Sequence, residues 1–84
     1  MPVSTMSLSE RIARVLAGRA ASSNAKGEDA SAGAEVDVTW RDYREDALAI
    51  LHTLREPDEA MARAGDAEIW GRMVDAALAP AEAL

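Results

Sequence analysis

His52 is the only histidine among 84 residues, and the only side chain whose ordinary titration range spans neutrality. A general base needs an oriented partner and a pocket, and a nitrogen–sulfur metal cage needs further histidines or cysteines. The chain has no cysteine, and neither Leu51 nor Pro57, near His52 in sequence, can supply a ligand. His52 therefore reads as a solvated residue on a helix surface. Two acidic groups come next: Asp42, Glu45 and Asp46, then Glu56, Asp58 and Glu59. A hard cation needs several oxygens converging on one point, and the alternating-aspartate calcium loop is absent. Arg41 stands four residues before Glu45, so the first group reads as a solvated helix face, and the second as decoration of a helix start. The serines of residues 4–9 and 22–31 lie in no G-x-S-x-G turn, and Gly27 and Gly33 are isolated rather than part of a phosphate loop. The expectation is a protein that is not an enzyme, with no catalytic residue, no metal ligand and no cofactor.

Arg11, Arg14 and Arg19 could touch phosphates or an anionic membrane. The chain as a whole opposes this, with nine basic against 15 acidic residues and a net charge of −6. Only residues 1–21 carry a positive balance. Nucleic acid and membrane are therefore not expected partners. The alternative reading is a nucleic-acid-linked regulator, either a weak DNA binder through the N-terminal arginine helix or an acidic competitor of DNA for a basic protein. No run of about 18 apolar residues exists, and Arg11 and Arg14 interrupt any signal-type core, so a cytoplasmic protein is expected.

The elements that must carry these residues are helical. Hydrophobic residues make up 49% of the chain, a figure inflated by alanine; there is no phenylalanine, and no stretch alternates with period two. This predicts an all-α protein, a small helical bundle made of an N-terminal helix, a flexible linker, a long helix, a short connector helix and a C-terminal helix. Residues 1–21 read as an N-terminal amphipathic helix. Ser7 and Glu10 fit a capping box, Leu8, Ile12, Val15 and Leu16 form its stripe, and it should end near residues 19–21. Residues 22–38, small and acidic, read as a flexible linker. Residues 39–80 read as the core domain. Thr39 is placed as an N-cap, with Val38 and Tyr43 as a hydrophobic staple. Trp40, Tyr43, Ala47, Ile50 and Leu54, widened by Leu51, form a core stripe over 40–55. Pro57 suits the first position of a short connector that ends in a left-handed Gly65. Asp66 suits the cap of the last helix, whose face holds Ile69, Trp70, Met73, Val74, Ala77 and Leu78. Gly71 inside it suggests the close approach of another helix. Pro80 stops the pattern, and residues 81–84 read as a frayed tail.

The stretch from Trp40 to Leu78 resembles small uncharacterised phage and prophage-type proteins of proteobacteria. The shared residues are an initial W-x-x-Y (Trp40, Tyr43), a central R-E-P-x-x-A-M (Arg55, Glu56, Pro57, Ala60, Met61) and a following A-G (Ala64, Gly65). A closing W-x-x-M-x-D-A-A-L follows (Trp70, Met73, Asp75, Ala76, Ala77, Leu78). The match covers about half the chain. It implies no activity, only a mobile-element origin and residence inside the cell.

Two helices sharing Trp40 and Trp70 make too small a core to stand alone, since a short chain buries a small share of its surface. The expected function is a helical protein–protein interaction module that forms a homo-oligomer or binds a protein partner. Its expected interface is Trp40, Tyr43, Ile69, Trp70, Met73 and Ala77, because aromatics and methionine are enriched at such surfaces.

Overall fold

A computed structural model describes residues 3–25 and 32–79. Every regular element in them is helical: α1 (Leu8–Ala25), α2 (Ala32–Thr39), a 3₁₀ turn (Trp40–Tyr43), α3 (Arg44–Leu54), α4 (Glu59–Ala64) and α5 (Ala67–Leu78). The all-α class follows from the composition: abundant alanine, leucine, glutamate and arginine, and few β-branched residues. The chain falls into two compact units, residues 1–47 and 48–84, in place of a single core domain over 39–80.

In the first unit α1 packs on α2 and on the 3₁₀ turn. The Ser7 hydroxyl accepts from the Glu10 N–H at 3.2 Å, which is half of the expected capping box. The Glu10 carboxylate turns instead to Arg14, at 2.9 Å. The helix passes residue 21 and continues to Ala25, since A-A-S-S-N-A contains neither glycine nor proline to stop it. Its buried line is Ala13, Ala17 and Ala21, not the larger residues of the expected stripe, and Val15 is 61% exposed. The cause is Trp40, only 8% exposed, which joins Ala13, Ala17 and Ala47 in one cluster with Ile12, Val36 and Tyr43 against it. A helix face lined by alanine leaves room for an indole, the largest apolar body this chain has to bury.

Part of the expected linker is also helical. Residues 32–38 belong to α2, held by tertiary contact rather than propensity. A Cβ on Gly18 of α1 would lie 3.6 Å from Val36 Cγ2, and Arg14 reaches Asp37 at 2.8 Å. Residues 26–31 of that linker, and the tail 81–84, lie outside the described residues. Thr39 does not cap a helix. It ends α2, and its hydroxyl donates to the Glu35 carbonyl at 2.8 Å. Val38 is exposed, so no staple to Tyr43 forms.

In the second unit the buried large side chains are Leu51 and Val74. Ile50 and Leu54, expected in the core, are partly exposed. The cap of α4 is Asp58, whose Oδ1 accepts from the Met61 N–H at 2.9 Å, so the helix starts after Pro57 rather than on it. Gly65 has φ −158°, an extended backbone and not the expected left-handed one; its N–H donates to the Met61 carbonyl at 3.1 Å. Asp66 caps α5 as expected, accepting from the N–H groups of Glu68 and Ile69 at 2.9 and 3.0 Å. The expected close approach at Gly71 is not seen among the described residues, where a Cβ there would meet nothing within 4 Å.

Candidate protein-contact surface

The second unit carries an open apolar groove of about 370 Å³ between α4 and α5, lined by Pro57, Met61, Ile69, Trp70 and Met73, with Asp66 at one edge. Two caps build it. Asp58 fixes the start of α4 and so sets Met61, and Asp66 fixes the start of α5 and so sets Ile69. Ile69 and Met73, four residues apart, share one side of α5. Ile69 is 47% exposed, Met73 62% and Met61 39%. Trp70 is anchored by its polar edge. Its Nε1 donates to the Leu54 carbonyl at 2.7 Å, satisfying one of the free carbonyls at the end of α3 and leaving the ring as part of the groove wall. Just beyond α3, Arg55 clasps Asp75 of α5 with two hydrogen bonds, Nε to Oδ1 at 2.6 Å and Nη2 to Oδ2 at 3.0 Å. The guanidinium holds the Asp75 carboxyl below its ordinary range, mainly through those hydrogen bonds, and the carboxylate in turn raises Arg55.

Of the six residues expected at the interface, Ile69, Trp70 and Met73 come together in this groove. Ala77 lies on α5 but does not line it. Trp40 and Tyr43 are taken up by the first unit: Trp40 is interior and Tyr43 packs against it. The two tryptophans thus serve different units and do not share a core. Pro57 and Met61 line the groove although the sequence places them only in the connector and not in the expected interface. Met61 had a signal, being the one large apolar side chain of its short helix.

The chemistry-bearing residues are placed as follows. His52 is exposed on α3. Among the described residues no three His, Cys, Asp or Glu side chains gather as a metal site would require. Arg14 is engaged three ways. It donates to Glu10 at 2.9 Å and to Asp37 at 2.8 Å, and its guanidinium lies 5.2 Å from the centre of the Trp40 ring, where Arg41 also lies at 4.7 Å. The two carboxylates raise its already high pKa, Asp37 most. Arg11 donates through Nε to the Met6 carbonyl at 3.3 Å, and Arg19 is exposed. Among the described residues no helix is long and apolar enough to cross a membrane.

No protein-family model, no curated protein and no solved structure matches this chain.

Proposed function

We propose that the protein is a small helical protein–protein interaction module that acts through the apolar groove of α4 and α5, by self-association or by binding a protein partner in the cytoplasm. One observation supports it most: Met61, Ile69 and Met73 stand exposed around a single groove, in a chain with few large side chains to spare. Burying such a side chain from full exposure contributes roughly 1.5–3 kcal/mol, and covering the exposed part of these three contributes a share of that each. The two methionines add adaptability, since a flexible thioether conforms to varied surfaces. A phage or prophage origin belongs to the same proposal and rests on the motif resemblance of residues 40–78 alone. The nucleic-acid reading is weaker, because one of the three arginines of α1, Arg14, is already bound to two carboxylates and the chain carries a net charge of −6.

Light scattering on the eluting protein at micromolar concentrations tests the proposal. The wild type should show a mass above that of one chain, or carry a bound protein when isolated from its native host. Met73→Asp, at an exposed site, should remove either. Unchanged association in Met73→Asp and in Ile69→Asp would refute the assignment of this face.

A further inference from the structure

We propose that the occupant of the α4–α5 groove is the outer face of α1 from a second copy, so that copies join head to tail. This rests on the interaction reading above and names its partner. The outer face of α1 carries Arg11, Val15 and Arg19 at i, i+4 and i+8, in one line about 12 Å long. All three are exposed, Val15 although it is apolar. Among the described residues neither Arg11 nor Arg19 enters an ion pair, whereas Arg14, off this line, is held by Glu10 and Asp37. The helix therefore presents an apolar side chain flanked by two cations with no carboxylate partner among the described residues, Arg11 donating only to the Met6 carbonyl.

The groove offers the complement. Its floor is apolar and Asp66 lines its edge, while Asp58 and Glu59 open α4 next to Pro57 and Met61. Between residues 48 and 79 three arginines stand against six carboxylates. Arg55 is occupied by Asp75, and Arg63 lies 3.7 Å from Glu59, which leaves Asp58 and Asp66 as the carboxylates beside the groove with no arginine partner and Arg72 as the remaining cation. Groove packed on groove would set one acidic unit against another, which costs free energy; α1 in the groove sets cations against carboxylates around an apolar contact. Because the two surfaces differ, the contact is heterologous and each copy keeps a free donor and a free acceptor face. Association then yields a series of species that lengthens with concentration and shrinks as salt screens the rim charges.

Two variants separate this arrangement from its competitors. Arg11→Gln/Arg19→Gln alters only the α1 face, and Met73→Asp only the groove. Sedimentation velocity should show each variant alone as a single chain, with affinity weakened at least about tenfold. Mixed in equal amounts they should form a heterodimer, because the first keeps a working groove and the second keeps a working α1 face. Val15→Asp in place of the arginine pair should pair with Met73→Asp in the same way, and circular dichroism should show helix content unchanged in all of them. A wild type that associates while the mixture stays monomeric, or association of the arginine variant at wild-type strength, would overturn the head-to-tail arrangement and leave the interaction reading standing. A wild type that is monomeric at every concentration and salt would overturn this arrangement and reduce the interaction reading to its protein-partner form.

Discussion

Trp70 shows how one side chain serves both stability and surface. Its N–H closes the end of α3 through Leu54, and its ring walls the groove. Trp70→Phe keeps most of the ring and loses the donor. The expected cost is about 1 kcal/mol, read from urea denaturation, because the freed carbonyl still reaches water; no loss would mean that the hydrogen bond contributes nothing in solution. Asp75 makes a pH-dependent prediction. Its carboxyl lies below its ordinary value of 3.8 in the folded protein, held there by Arg55. A group whose folded value is depressed contributes stability that is complete above the unfolded value and is lost as pH falls through the folded one. Denaturation at about pH 6 and about pH 3 should therefore show a fall in stability that is smaller in Asp75→Asn. Equal falls in both proteins would show the pair to be immaterial.

At the scale of elements, the helices other than α2 were legible and their rotations were not. The caps at Asp66 and the break at Pro57 are local effects, written in side chains that bond their own backbone or cannot donate to it. The buried face of α1 depends on a residue far away in the chain: Trp40 selects the line of Ala13 and Ala17 because small side chains accommodate the indole, and Val15 is left outside. Volume matching of this kind leaves no periodic signal in α1 itself. Ala17→Leu should accordingly cost about 1–3 kcal/mol through overpacking, measured by thermal unfolding. Likewise α2 has weak sequence signals and exists by contact with α1, which is why residues 32–38 read as linker. Gly71 gives the opposite test. Among the described residues a Cβ there would meet nothing within 4 Å, so Gly71→Ala should stabilise α5 by up to about 1 kcal/mol. A destabilising effect would reveal a neighbour at that site.

At the scale of the molecule, the sequence pointed to half of the candidate surface. Ile69, Trp70 and Met73 were visible as one helical face, but so were Trp40 and Tyr43, and periodicity cannot tell a face that packs inward from one left open. Both tryptophans lie on apolar stripes; only the packing of α1 shows that one of them is already enclosed. What remains outside is a methionine-edged groove on an acidic unit, and its exposure is what supports the proposed association. Sedimentation equilibrium of the wild type beside Met73→Asp, from low to high micromolar concentration, tests that most directly. The expected result is a mass that rises with concentration in the wild type and stays at one chain, 8.9 kDa, in the variant. A wild type and variant that both fit a single chain throughout, with no protein retained from the native host, would contradict it.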